Sequence, residues 1–327
     1  MKTRHKIEVI KSLAMMKCFK SRIPFAVGIM LTKRCNYKCP YCGFWQRCDE
    51  KDLAFEQIKH IIDELTVLGT RFVSFSGGEP LLYEKIEDVL DYCKLKGMFV
   101  KLNSNGGLVL SKIGILDKID LLIMNLDGPE EIHDRIKIKG AYKNVIASAK
   151  AALDKGVKVS FGCTLNRFNL KHVEDVLNIA LKFNAKVAFQ PATRVILGSD
   201  KANPISPEVK PYRDTIDLLI GLKTKRNNIS NSVGGLLHLR KWPDPTIIKC
   251  YAGRFHCGIY NNGDVYPCGR VFSSFKPVNC LQIGVKAAFQ KAIAVNLCSD
   301  CWCSGEVEMN KIASFDFSAI INAFEVF

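Results

Sequence analysis

At 327 residues and 48% hydrophobic content, the chain suffices for one α/β barrel plus an appendage, and no apolar run approaches the ~18 residues of a membrane span, so a soluble protein is predicted. A net charge of +15 suits an anionic substrate, an acidic electron donor, nucleic acid or anionic lipid headgroups without choosing among them. The lysines and arginines are spread along the chain in no homeodomain or zinc-finger pattern, so no specific nucleic-acid reader is expected.

Residues 1–23 read as a basic helix whose apolar residues are interleaved with Lys6, Lys11 and Lys17, without the apolar core of a signal peptide. Ile7, Ile10, Leu13 and Ala14 beside Lys17 make it amphipathic, a shape that either caps the core or makes peripheral contact with an anionic membrane surface. From there, strand-length apolar runs at 25–31, 72–75, 99–102, 121–126, 157–163 and 187–190 alternate with stretches of helical period at 54–68, 86–96, 108–116, 142–155, 170–183 and 207–222. That alternation predicts six βα units, an α/β fold closing into an open, partial (β/α)6 barrel over 24–222. From 223 the texture turns polar, with a Gly-Gly step at 234–235, and 223–249 is expected to be a linker before a cysteine-rich unit at 250–327. Its last stretch, 315–327, is apolar at helical spacing and is expected to pack back on the barrel.

Fourteen cysteines with no export signal suit metal in a reducing cytoplasm better than disulfides, because they cluster as C-x3-C-x2-C early and C-x2-C-x-C late. The early cluster, CNYKCPYC, holds Cys35, Cys39 and Cys42 directly after the first strand. Structural zinc and ordinary electron-transfer clusters take four protein ligands, so a triplet leaves one position open for a small molecule. GGEP at 77–80 follows the second strand, at the C-terminal mouth where parallel α/β folds bind ligands.

The spacing of the three cysteines, Tyr41 just before the last of them, and GGEP together resemble the radical S-adenosylmethionine (AdoMet) enzymes over roughly 25–222. The resemblance implies a 4Fe-4S cluster on Cys35, Cys39 and Cys42 whose fourth iron holds AdoMet, reductive cleavage to a 5′-deoxyadenosyl radical, and a one-electron donor of flavodoxin or ferredoxin type. It further implies Tyr41 near the adenine, Gly77 and Gly78 offering carbonyls to the AdoMet ammonium, and Glu79 shaping the loop or meeting the charge. A side chain at 78 is accordingly expected to crowd the cofactor and leave cluster assembly intact. Asn103, Ser104 and Asn105 of NSNG would meet ribose hydroxyls, and Gln190 the adenine or the substrate, with Asn166 and Asn169 as weaker candidates. NLDGPEEIHDRIKIKG is similar to the family's S-[IL]-D-G-x4-H-D-x2-R-G pattern, but Asn125 stands where serine is usual and Lys137 where arginine is, with Arg135 as a substitute for the latter.

The late cysteines run Cys250, Cys257, Cys268, then Cys298, Cys301 and Cys303, and Asn262-Gly263 within CGIYNNGDVYPCG signals a β-hairpin. This resembles the auxiliary-cluster domains called SPASM and twitch. Cys250, Cys268, Cys298 and Cys301 would then hold one auxiliary 4Fe-4S cluster, with Cys257 able to replace one of them; a zinc ribbon stays open, since four thiolates and a hairpin suit zinc equally. In sulfatase-maturing relatives an aspartate base follows the hairpin's last cysteine. Gly269 and Arg270 follow here, which leaves no assigned base. The expected activity is hydrogen abstraction from a peptide, a sugar alcohol or a cofactor precursor, with oxidation or crosslinking aided by the second cluster. Alternatives are a lipid- or nucleotide-modifying enzyme at a membrane surface and a non-enzymatic iron-sulfur or zinc protein that binds nucleic acid.

Overall fold

The computed structural model describes residues 7, 8, 11, 14, 15, 22–47, 51–196, 199, 201–269, 275–293 and 298–326. The opening amphipathic helix therefore lies largely outside the described residues, as do Cys18, Cys48 and Arg270.

Six parallel strands, β1 (Ala26–Thr32), β2 (Phe72–Gly77), β3 (Phe99–Ser104), β4 (Leu121–Asn125), β5 (Lys158–Leu165) and β6 (Lys186–Pro191), lie side by side in chain order. Each falls where an apolar run predicts it. Alternation along each strand sends one set of side chains outward: Val27, Ile29 and Leu31, then Val73 and Phe75, Val100 and Leu102, and Phe161 and Cys163 are buried in one large cluster. Against them pack the apolar faces of α1 (Phe55–Val67), α2 (Ile86–Leu95), α4 (Ala141–Asp154) and α5 (Val173–Leu181), while the short α3 (Glu130–Ile136) sits over the mouth. A fully buried Ile, Leu or Phe contributes about 1.5–3 kcal/mol, so this outer layer is the main stabilising element. The fold is a partial (β/α)6 barrel.

Two predicted helices form differently. The 108–116 stretch is a 3-10 run, Leu110–Lys118, kinked at Lys112, whose φ/ψ of −123°/42° is not helical. The 170–183 stretch opens with a 3-10 turn, Leu170–His172, before α5 begins. The sixth helix, α6 (Val209–Lys223), forms as expected.

Residues 223–249, expected as a linker, are packed into the core. They carry α7 (Val233–Leu239), with Leu236, Leu239 and Trp242 buried. Their polarity reflects a different duty: they cover the open edge of β6. Val187 N–H donates to Asn228 O at 2.8 Å, Ser230 N–H to Val187 O at 2.7 Å, and the Asn231 amide bonds both the N–H and the C=O of Phe189 at 2.7 and 3.0 Å. Such side-chain pairing satisfies a strand edge that would otherwise be left bare.

The cysteine-rich segment continues the barrel sheet. Strand β7 (His256–Ile259) runs parallel to β1, from Ala26↔His256 to Ile29↔Ile259, and leads through the Asn262-Gly263 turn, with Gly263 at φ +88°, into β8 (Asp264–Tyr266) and β9 (Val278–Asn279). Two short helices follow, α8 (Cys280–Ile283) and α9 (Val285–Lys291). Last come α10 (Ser304–Ala313) and α11 (Phe317–Val326), which close the inner floor: Ile312, Ala313 and Ala319 pack with Phe25, Phe72, Phe99, Leu121 and Phe255. The rings of Phe25 and Phe255 stack at 5.1 Å. No described helix is long and apolar enough to cross a membrane.

Candidate functional site

The three early cysteines sit in the loop that leaves the C-terminal end of β1, and Cys35, Cys39, Tyr41 and Cys42 pack in one small cluster with Tyr37 and Ala141. This loop is anchored both from elsewhere in the chain and from within itself. Asn144 on α4 donates to the Tyr37 hydroxyl at 3.0 Å, Asn105 Nδ2 donates to Asn36 Oδ1 at 2.8 Å, and the Trp45 indole donates to Cys39 O at 3.1 Å. Two donors point at sulfur: Tyr37 N–H lies 3.4 Å and Asn105 Nδ2 3.7 Å from Cys35 Sγ. Burial pushes the Cys35 thiol up to about 11 and raises Cys39 as well, and the nearby Cys42 thiol adds to the cost of ionising either. Bare thiolates are thus disfavoured here, and a bound cationic metal or cluster with N–H donors at its sulfurs removes that penalty. Among the described residues no three His, Cys, Asp or Glu side chains close on a single-ion site. The donor chemistry of the loop fits a 4Fe-4S cluster.

GGEP is locked against this loop by backbone bonds. Gly78 N–H donates to Thr32 O and Glu79 N–H to Arg34 O, both at 2.8 Å. Gly77 takes φ +139°. A Cβ at Gly78 would come under 3.0 Å from the carbonyl oxygens of Lys33 and Arg34, which are backbone and cannot step aside. A side chain at 78 therefore displaces the cysteine loop itself, so the expectation that cluster assembly would survive it is corrected. Glu79 is completely buried and holds three donors: Leu81 N–H at 3.2 Å, Ser104 Oγ at 3.0 Å and Asn105 N–H at 2.8 Å. Desolvation outweighs those bonds and lifts its carboxyl to about 7. Ser104 and Asn105 are thereby occupied in tying β3 to GGEP and to the cysteine loop, and Asn103 donates to Ser74 Oγ and Phe75 O at 2.8 and 2.9 Å.

A buried ion pair stands behind Tyr41. Lys137 Nζ lies 3.1 Å from Asp127 Oδ2, the two side chains being 6% and 0% exposed, so the pair is fully desolvated. The ammonium also hydrogen-bonds the Tyr41 hydroxyl and sits 4.7 Å from the centre of its ring. Burial pushes Lys137 toward neutrality, but Asp127, Tyr41 and Cys39 outweigh it and hold its pKa well above the ordinary value. Asp127 is fixed in turn: Oδ1 accepts Thr164 N–H at 2.8 Å, and its own N–H donates at 3.1 Å to His133 Nδ1. Burial lowers His133 to about 4, keeping the ring a neutral acceptor. Asn166 and Asn169 are turn-formers beneath the mouth, Asn169 donating to Asp127 O and Thr164 O at 2.9 Å each. Asn125 reaches only Gly162 O, at 3.5 Å. Arg135, on α3, stacks on Phe168 with its guanidinium carbon 4.1 Å from the ring centre.

Of the late cysteines, Cys301 lies within electrostatic reach of Cys303, Cys268 and Cys250, and Cys250 within reach of Cys298. Burial, then the charge of Glu306 and the thiols of Cys303, Cys268 and Cys250, raise Cys301, while burial, Glu306 and Cys298 raise Cys250. Cys257 stands apart, because strand alternation turns it outward into the helix-facing core, with Cys280 as its thiol neighbour. Gln190 at the end of β6 accepts from Ser304 N–H at 3.1 Å, which docks the start of α10 and Cys303 against the barrel. The sequence reading missed Asn36, Asp127, His256 and Glu306. His256 Nδ1, buried, lies 3.1 Å from Oε2 of the half-buried Glu306, and a lone histidine 50 residues from its glutamate carries no local pattern that would reveal them.

The family model described as the Radical SAM superfamily matches residues 29–180. Fe-coproporphyrin III synthase of Methanosarcina barkeri is 29% identical over 171 residues, 49% of this chain and 41% of that protein. Mycofactocin maturase MftC of Mycolicibacterium smegmatis is 26% identical over 256 residues, 75% of this chain and 64% of that one. The chain spans less than two thirds of either relative's length. Among solved structures, Streptococcus suis SuiB bound to S-adenosylmethionine matches with a TM-score of 0.71 over 86% of this chain and 69% of that one, at 17% identity, a likeness of fold. SuiB has also been solved bound to precursor peptide SuiA. The matched span runs from within β1 into α5 and contains the cysteine loop, GGEP and the Asp127–Lys137 pair, so the part of the chain that builds the site is the part similar to the radical SAM superfamily.

Proposed function

We propose that this chain is a radical AdoMet enzyme that modifies a peptide, with one cluster on Cys35, Cys39 and Cys42 and a second on Cys250, Cys268, Cys301 and one of Cys298 and Cys303. The observation that carries the reading is the cysteine loop itself: three thiols, Cys39 buried and Cys35 and Cys42 half-buried, at the mouth of a partial barrel, pinned by GGEP and met at Cys35 by two hydrogen-bond donors. When bound and reduced by one electron, a 4Fe-4S cluster with AdoMet supplies a 5′-deoxyadenosyl radical able to take hydrogen from carbon. The chain's own residues orient and protect that chemistry. Gly77 and Gly78 present backbone at the loop's surface, Glu79 braces the loop from below, and Lys137 holds Tyr41 in place. A flavodoxin- or ferredoxin-type protein is the proposed electron donor. Peptide maturation is favoured over cofactor synthesis because the likeness to the maturase extends over 75% of the chain, beyond the barrel.

Anaerobically reconstituted protein should hold about 8 Fe, and Cys35→Ala/Cys39→Ala/Cys42→Ala should lose about half of it and all reductive formation of 5′-deoxyadenosine. Persistence of 5′-deoxyadenosine in the triple variant refutes the assignment.

A further inference from the structure

The rim of the barrel carries two arginines on one aromatic ring. Arg135 ends α3, after β4, and Arg167 and Phe168 follow β5, so all three stand at the C-terminal edge of the strands. Phe168 is half-buried against Ile136, Ala192 and Ile205, in the same cluster as Tyr41 of the cysteine loop. The guanidinium carbons of Arg135 and Arg167 lie 4.1 and 5.7 Å from the centre of its ring. Both side chains are exposed, and among the described residues neither has an ion-pair partner.

The nearby acids are committed elsewhere or turned away. Asp134 accepts Gly140 N–H and Tyr142 N–H at 2.6 and 2.8 Å, Glu130 pairs with Lys143 at 3.4 Å, and Asp127 belongs to Lys137. Glu131, one turn before Arg135, is exposed and makes no ion pair with it. Two like charges sharing one ring repel each other, and the negative face of the ring offsets this only in part. A carboxylate bridging the two forks would relieve the repulsion, since guanidinium geometry matches carboxylate oxygens two at a time.

We infer that Arg135 and Arg167, held on Phe168, form a clamp for a carboxylate side chain of an acidic peptide substrate entering the barrel mouth. The inference rests on the peptide-modifying reading. Two guanidiniums on one ring present paired N–H forks of the kind that a carboxylate side chain matches. An anionic membrane would instead call for a broad lysine-rich face, and a nucleic acid for several stacking rings.

The test uses full-length, cluster-reconstituted protein and a fluorescein-labelled peptide of alternating Gly and Glu, with its Gly/Gln counterpart, followed by anisotropy at about 0.15 M salt. The Glu peptide should bind and the Gln peptide should not. Arg135→Gln/Arg167→Gln should weaken binding at least about tenfold, whereas Lys150→Gln/Lys182→Gln, which removes the same charge from outer surfaces, should change it by less than about twofold. Arg135→Lys/Arg167→Lys keeps the charge but not the fork, and should lose an intermediate amount, about threefold. Equal losses in the two glutamine doubles would reduce the effect to diffuse charge and overturn the clamp. So would binding to phosphatidylserine vesicles but not to the Glu peptide. Failure of the wild-type protein to form 5′-deoxyadenosine would strike the enzymatic reading and leave this binding comparison interpretable.

Discussion

Replacing Lys137 with methionine removes one partner of a desolvated ion pair without changing the volume of the site much. Asp127 is 0% exposed and its Oδ2 has no other hydrogen-bond partner, so the variant strands a buried carboxylate. Breaking a buried pair in this way costs about 3–5 kcal/mol, and the lost contact with the Tyr41 ring adds about 1 kcal/mol. The Thr164 N–H that remains on Oδ1 brings the expected loss toward the lower end, about 3 kcal/mol. Asp127→Asn should cost a similar amount by stranding the ammonium. The double variant, with both charges gone, should be at least about 2 kcal/mol more stable than the sum of the singles implies. Equilibrium urea unfolding of the full-length reduced chain measures all four proteins. Additive losses, or a loss below about 1 kcal/mol in Lys137→Met, would mean that the pair is not coupled as its geometry requires.

Glu79 makes stability depend on pH. Its native carboxyl titrates near 7 against an ordinary 4.5, so between these values the folded chain keeps a proton that the unfolded chain has released. Stability should therefore fall as pH rises through that window, by up to about 3 kcal/mol, and stay flat above it; Glu79→Gln should flatten the slope, and an unchanged slope in that variant would assign the effect elsewhere. Gly78→Ala should push the Lys33–Arg34 backbone away and lower the iron content toward the ~4 Fe of one cluster, whereas full iron with normal AdoMet affinity would show that the loop yields freely. Cys257→Ala should keep about 8 Fe and Cys301→Ala about 4 Fe. Stoichiometric zinc with ~4 Fe in the native protein would instead make the late cysteines a structural zinc site.

The six barrel strands and the cysteine-rich motifs were legible in the sequence because each depends on local information. Outward-facing runs such as Val73 and Phe75 must be apolar wherever helices cover them, the Asn262-Gly263 turn carries its own backbone preference, and C-x3-C-x2-C needs only spacing. Polarity misled at 223–249, where the buried Asn231 amide completes the edge of β6 and the buried Asn228 amide donates to Leu177 O on α5; composition alone cannot distinguish an amide bonding water from one bonding buried backbone. What only the tertiary structure decided is which loops meet. Gly78 abuts Arg34, Lys137 reaches Tyr41 across 96 residues, and Gln190 receives Ser304 across 114. Periodicity specifies the face of an element and says nothing of its neighbour. It is barrel closure, by bringing the C-terminal ends of the strands to one rim, that turned Asn105, Glu79 and Lys137 into braces of the cysteine loop and left Arg135 and Arg167 facing outward.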